Sequence, residues 1–244
     1  VKDTHQIRKV YQGYMAMITG IDDAFGSLIK HLKNLNLYDN TIIVFTADHG
    51  DMLKSGERTS NKGCPEFESV GVPLIIKLPH SLRKATSSDL LIGSMDIMPT
   101  LLSLMNISPP NTVQGRDLSR HIKDGTENAV NSIPLMHFAP AWRGVYTKRY
   151  TYSIGRCWAP TGGPAAANGN VLYDRQEDPW EIQNHYKNPS YKKVKKQLAE
   201  LNNNWLKKFE DQFWDEQYLL QKLMGTNKPF FNAKGQKGVM TKPD

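Results

Sequence analysis

The sequence predicts an α/β fold: part of a large mixed or parallel sheet flanked by helices, followed by a small antiparallel-sheet subdomain with a long helix. Three observations predict it. A helical apolar pattern passes through a short turn into an apolar, β-branched run without alternation, which suits a strand buried on both faces with helices on either side. Past about residue 128 the runs become short and alternating and are joined by basic turns, as in antiparallel hairpins. From Pro189 a second amphipathic pattern takes over.

In chain order, residues 1–33 read as a helix, with Met17, Ile18, Ile21, Phe25, Leu28, Ile29 and Leu32 at helical spacing after Tyr14. Residues 37–40 make a turn, and residues 41–45 (Thr-Ile-Ile-Val-Phe) make the first buried strand. The polar stretch 51–61 is a loop. Residues 72–76 make a second buried strand that tolerates Pro73 near its start. A helix follows, with Asp96 as its cap and Pro99 in its first turn, where a missing N–H costs little. Residues 144–147 and 150–154 pair as a hairpin, and 159–170, rich in Gly, Pro and Ala, form a loop. The last helix turns Val194, Leu198, Leu201, Trp205, Leu206 and Phe209 inward, and the tail after Gly225 has little periodicity. A subdomain boundary near 128–135 divides the chain into 1–130 and 131–244.

A length of 244 residues allows one large domain or one and a half. With 39% hydrophobic and 23% charged residues, wholesale disorder is excluded. No apolar run approaches the ~18 residues of a membrane span. Two cysteines, Cys64 and Cys157, cannot by themselves build a disulfide framework or a tetrahedral zinc site. The net charge of +7 is partly local, at Lys187, Lys192, Lys193, Lys195 and Lys196 and again at Lys228, Lys234, Lys237 and Lys242. It would fit an anionic ligand, although a solvated helix face accounts for a lysine run as well. The chain opens at Val1 on a helical run without a Met or leader, and so reads as a piece of a longer protein.

The sharpest local feature is Thr46-Ala47-Asp48-His49-Gly50-Asp51, at the C-terminal end of the first buried strand. Ligands bind at that end in open α/β sheets, because the loops there diverge. Asp48 and His49 can supply two ligands to a divalent cation, and Gly50 lets the chain turn away. The same residues also fit a plain turn with a capping Asp and an exposed His. Thirteen positions on, Lys62 offers three donors and a fixed positive charge to a tetrahedral oxyanion, or is simply solvated. Cys64 has no base or pKa-lowering neighbour in sequence and reads as a bystander. His5, His31, His80, His121 and His185 show no partner in sequence and read as surface or core residues.

The whole run 37–53, centred on Asp48-His49-Gly50-Asp51, resembles the second signature region of the type I, formylglycine-dependent sulfatases of the alkaline phosphatase superfamily. The resemblance continues in order through Lys62-Gly63 and residues 68–76, through Met95-Asp96-Ile97-Met98-Pro99-Thr100-Leu101-Leu102, and through Gln114-Gly115-Arg116-Asp117-Leu118. It closes with Leu172-Tyr173-Asp174, Glu177-Asp178-Pro179 and Glu181. Five blocks in order are more specific than any one of them, and they cover about residues 10 to 210, the C-terminal half of such an enzyme.

The resemblance implies that Asp48 and His49 are metal ligands, with Asp48 also beside the catalytic nucleophile, and that Lys62 binds a sulfate oxygen. It implies one divalent cation, Ca2+ by family, with Mn2+ or Mg2+ open because an Asp-His pair is less purely oxygen-donating than calcium favours. In the intact enzyme a formylglycine hydrate would attack sulfur in line, and the hydrate would then collapse to expel sulfate. That formylglycine comes from a Cys/Ser-X-Pro-X-Arg motif, which neither Cys64 nor Cys157 fits, so it is expected upstream, with the remainder of the polypeptide completing the site. The 244-residue chain alone is therefore expected to be inactive. Where the family often has a His after its Asp-His-Gly-Glu, residues 54–58 read Lys-Ser-Gly-Glu-Arg, which leaves a leaving-group role for that loop open.

His137 and Arg143 are candidate substrate contacts, while the Trp142-Arg143 pair also fits a structural strand, and Trp180 reads as packing rather than as a sugar platform. The expected partner is a sulfated small molecule or glycan, with no nucleic acid and no transmembrane segment. Compartment is unknown from the chain, and the resemblance suggests a periplasmic, secreted or lysosomal setting. Two rivals remain: a phosphodiesterase or phosphonate monoester hydrolase of the same superfamily, and a non-catalytic pseudoenzyme or anion-binding fragment.

Overall fold

The computed structural model describes residues 4–53, 55, 62–80, 87–126, 131–137, 142–155, 170–211 and 213. Cys157, the tail after Gly225, all but Ser55 of residues 54–58, and all but Asn170 of the loop expected at 159–170 lie outside the described residues. The chain forms two compact units, Val1–Lys62 with Glu68–Thr86, and Gly63–Phe67 with Ser87–Asp244. The change of sequence texture near residue 130 falls inside the second unit. Among the described residues no helix is long and apolar enough to cross a membrane.

The first unit begins with helix α1, Thr4–Asn34. It stops because Asn36 takes a left-handed conformation (φ 56°), while Leu37 N–H donates to the Leu32 carbonyl at 2.9 Å. That is the usual way a helix satisfies its last carbonyls. Strand β1, Ile43–Thr46, follows, and its partner β2, Leu74–Lys77, lies beyond a four-residue helix α2, Phe67–Val70. The ammonium of Lys77 ties the turn between α1 and β1, donating to the carbonyls of Tyr38, of Asp39 at 3.3 Å and of Thr41 at 3.1 Å.

The fold is mixed α/β, as expected, but β1 and β2 differ from their expected form. They pair antiparallel, Val44 opposite Ile76, in a two-stranded sheet, and neither is buried on both faces. The connection reverses the chain; a parallel pair would need a crossover returning to the starting edge. Phe25 of α1 packs edge-on against Phe45, with centroids 5.4 Å apart, and covers one face. Phe25, Ile29 and Leu32 are half-buried, whereas Met15, Met17, Ile18, Ile21 and, on β2, Ile75 are exposed.

In the second unit, helix α3 spans Ser94–Leu104 and α4 spans Ser119–Asp124. The first of these starts three residues before the expected position, with Gly93 as its cap. Asp96 is therefore the third residue of the helix, accepting the Gly93 N–H at 3.0 Å, and Pro99 lies inside the helix. The missing Pro99 N–H leaves the Met95 carbonyl without its helical donor. Gly115 packs on that carbonyl so closely that a Cβ would sit 1.9 Å from it.

Four antiparallel strands follow in the order β3-β4-β5-β6: Ile133–Met136, Trp142–Tyr146, Tyr150–Gly155 and Val171–Asp174. The hairpin and the closing strand were legible in sequence. The solvated second face that alternation suggests is absent here, because Thr151, Ser153 and Tyr173 are buried along with Val145, Tyr152, Ile154 and Leu172. The latter four meet helix α5, Lys192–Lys208, through Leu198, with Val194, Leu201, Trp205 and Leu206 packed around them as the pattern predicted.

At the end of β6, Asp174 is fully buried and receives Arg149 Nε at 2.7 Å and Nη2 at 2.6 Å, and the Tyr191 hydroxyl at 3.1 Å. The Arg149 hydrogen bonds hold its carboxyl below the ordinary value of 3.8. The unfolded chain binds this proton more readily, so stability is lost as pH falls from about 4 through the lowered native value. Chemical-denaturation curves from pH 6 down to pH 3 are expected to show that loss, and Asp174→Asn to flatten it. An unchanged slope in the variant would refute this assignment.

Candidate functional site

Strand β1 ends at Thr46, and the next residues form the site. Gly50 brings the chain against α2: its N–H donates to the Ser69 carbonyl at 2.8 Å, and a Cβ would lie 2.1 Å from the Glu68 carbonyl oxygen. This close backbone approach, with no positive φ, is why a glycine stands here. Asp51 then closes a tight turn by accepting the Leu53 N–H at 2.8 Å.

The turn presents Asp48 and His49. The His49 N–H donates to Asp48 Oδ1 at 2.9 Å, and His49 Nε2 lies 3.4 Å from Asp48 Oδ2. His49 Nδ1 lies 2.8 Å from the Gly50 carbonyl. A carbonyl only accepts, so Nδ1 carries the proton and Nε2 keeps its lone pair. Lys62 Nζ approaches that lone pair at 3.1 Å. The structure thus brings together the three residues proposed from sequence within one unit. One ring nitrogen, one carboxylate and one ammonium converge, and the Asp48 side chain is 85% exposed to a ligand.

The donor set suits a cation: a carboxylate oxygen and an imidazole lone pair 3.4 Å apart can both point at one ion. Among the described residues no group of three or more His, Cys, Asp or Glu side chains is placed to hold a metal ion, so this turn could offer a cation two ligands and no more.

In the second unit, residues 63–67 are clamped by groups that sequence reasoning passed over. Gly63 (φ 80°) accepts the Trp142 Nε1–H at 2.9 Å and packs under the His137 ring, whose Nε2 would be 3.2 Å from a Cβ. Glu66 accepts the Tyr173 hydroxyl at 3.1 Å, and Glu181 accepts the Phe67 N–H at 2.6 Å and the Thr151 hydroxyl. Burial raises the Glu181 carboxyl above its ordinary range, against the pull of these hydrogen bonds and of Arg175 3.7 Å away. The sequence signal was there, in the Asp178-Pro179 and Glu181 of the closing block. Their role needed contacts across more than one hundred residues, such as the 114 between Phe67 and Glu181.

Three expectations are corrected. Arg143 was a candidate substrate reader, but its side chain is 7% exposed. Its guanidinium bonds Asp211 at 2.6 Å and the His137 and Trp142 carbonyls at 3.1 and 3.0 Å, so it is an internal tie. Trp180, expected to pack, is 71% exposed, because it precedes the buried Glu181 on a turn whose Glu181 φ of 53° sends the two side chains apart. His137 is 7% exposed and is held over Gly63 beside the Trp142 ring, centroids 6.0 Å apart, so it is packed rather than open to solvent. Cys64 is buried, in keeping with its reading as a bystander.

Residues 2–107 match the family described as Sulfatase, and residues 65–208 match N-sulphoglucosamine sulphohydrolase, C-terminal. An ulvan-active sulfatase of Formosa agariphila is 33% identical over 94% of this chain and 47% of its own length. An endo-4-O-sulfatase of Bacteroides thetaiotaomicron is 28% identical over 86% of this chain and 44% of its own. Among solved structures, a sulfatase-family protein of Bacteroides fragilis superposes with a TM-score of 0.73 at 31% identity, covering 87% of this chain and 46% of that one. The chain spans about half the length of the curated relatives it matches.

Proposed function

Because the chain belongs to the sulfatase family of the alkaline phosphatase superfamily, we propose that it is the C-terminal part of an enzyme that hydrolyses sulfate esters of a sulfated glycan. The observation that carries this reading is the convergence of Asp48, His49 and Lys62 at the end of β1. Asp48 and His49 Nε2 would hold one divalent cation, calcium by family and manganese or magnesium by ligand type, which when bound neutralises the anionic ester. The Lys62 ammonium donates to a sulfate oxygen and offsets the charge that grows as the ester bond breaks. His49 Nδ1–H, held by the Gly50 carbonyl, keeps Nε2 aimed outward.

The nucleophile, a formylglycine, and the remaining ligands would come from the rest of the polypeptide. The exposed apolar side chains of α1 support this, since an unpartnered apolar face of this kind is usually covered. The test is a parallel assay of the full-length protein on 4-nitrophenyl sulfate, 4-nitrophenyl phosphate and a sulfated polysaccharide, with and without chelator. Chelator-sensitive sulfate release is expected, with no turnover by the 244-residue chain alone. Faster turnover of the phosphate ester would replace this reading with the phosphate or phosphonate hydrolase. No turnover of any ester would leave the pseudoenzyme.

A further inference from the structure

Five lysines of the second unit converge on one cavity. It measures about 1040 Å³ and lies between the first turns of α5, the loop leading into them and the end of β5. Lys192, Lys193, Lys195 and Lys196 fall within less than half of the helix circumference at 100° per residue, on the side away from Val194, Leu198 and Leu201. Lys187 enters from the preceding loop. Among the described residues no carboxylate lines this cavity and none of the five lysines forms an ion pair. The contrast with Arg149 is direct: that cation is already matched by Asp174 and Glu177. The floor is Tyr152, Ile154 and Tyr186. A cationic rim over an apolar floor, with its charges unmatched, concentrates anions.

We propose that this groove is a second binding site, for a sulfated stretch of the polysaccharide chain, which tethers the polymer to the enzyme apart from the hydrolytic site. The identity of the polymer rests on the sulfatase reading above. The residue types favour a sulfated polysaccharide over single-stranded nucleic acid. Base binding needs open aromatic faces and is helped by Arg forks. Here the Tyr186 ring is engaged by Tyr152, with centroids 6.2 Å apart, and by Lys195 at 4.5 Å, and the cations are all lysines, point charges on flexible stems. Those stems suit sulfate groups dispersed along a polymer better than one planar ligand.

The test uses the full-length protein and the variant K187Q/K192Q/K193Q/K196Q. All four positions are exposed and Lys195 is spared because it packs on Tyr186. Fluorescent dextran sulfate, uncharged dextran and single-stranded DNA of matched charge are titrated at low salt. The variant is expected to bind dextran sulfate about tenfold or more weakly, with a shallower salt dependence. Dextran should not bind either protein, and turnover of 4-nitrophenyl sulfate should stay within about twofold of wild type. Equal dextran sulfate affinity in variant and wild type overturns the site. DNA binding as tight as dextran sulfate binding, lost equally in the variant, also overturns it in favour of a nucleic-acid groove. If wild type turns over no sulfate ester yet loses polysaccharide affinity through these lysines, the hydrolase reading fails and the groove stands.

Discussion

Asp48→Ala and His49→Ala are each expected to lower sulfate-ester turnover by the full-length protein by at least about 10³-fold, and Lys62→Ala by about 10²–10³-fold. The first two remove the oxygen and nitrogen donors that lie 3.4 Å apart. On the proposed reading either change would take away one of the two ligands that this turn offers a cation. On the same reading Lys62→Ala would remove a fixed charge from beside the departing ester and sulfate oxygens. Kinetics measured with thermal melting separate chemistry from folding. Asp48 is 85% exposed on its side chain, and its hydrogen bonds are local ones to His49, so melting should hardly move. Lys62→Arg keeps the charge but replaces a compact ammonium with a planar fork, and is expected to recover only part of the rate. Wild-type turnover in Asp48→Ala would remove the site altogether.

Asp96→Ala is expected to destabilise the second unit by roughly 3–5 kcal/mol, the range for stranding one partner of a buried ion pair. Asp96 is completely buried and carries four hydrogen bonds. It accepts the Arg116 N–H at 2.7 Å, Arg116 Nε at 3.2 Å and Nη2 at 2.5 Å, and the Gly93 N–H at 3.0 Å. Alanine leaves all of those donors without their acceptor. Beside it, Thr100 accepts the Leu118 N–H at 3.0 Å and Gly115 lies on the Met95 carbonyl, so the two segments lock at three points. Urea unfolding of Asp96→Ala and of the double variant Asp96→Ala/Arg116→Met measures this. The double variant should recover part of the loss, because it removes the stranded charge along with its partner. A single variant within about 0.5 kcal/mol of wild type would show that the lock carries no stability.

That lock also shows how far the chain could be read. The blocks around Asp96 and Arg116 were both visible as parts of one resemblance, yet nothing in either said that they touch. Asp96 was legible as a residue of a helix start, and it proved to serve the third position and an arginine twenty residues on at the same time. The strand expected at 41–45 from its β-branched run stands at Ile43–Thr46, but the run left the direction of its partner open. A run of apolar side chains reports that a strand is covered, and direction depends on the path of the connection.

The alternating strands β4 and β5 predicted their pairing and failed to predict that the polar face is buried under Glu66, Glu181 and Arg175. Burial of polar groups becomes stable only when their partners arrive from distant segments. Arg143 failed for the same reason. In sequence it is a cation beside a tryptophan, and only folding supplies Asp211 to hold it inside.

Periodicity and residue type are local properties, so the sequence alone determined the helices α1 and α5, the strands other than β3, and the family, and it singled out Asp48, His49 and Lys62 as candidates. Three-dimensional proximity decided the rest. It joined Lys62 to His49, held Arg143 inside on Asp211, left Trp180 in solvent, and set the lysine run 187–196 around one cavity with Tyr152 and Ile154. Each of these depends on which side chain meets which once the chain has folded. Free energy resolves that only when the whole chain has packed, since a buried charge is tolerated where its partner is and nowhere else.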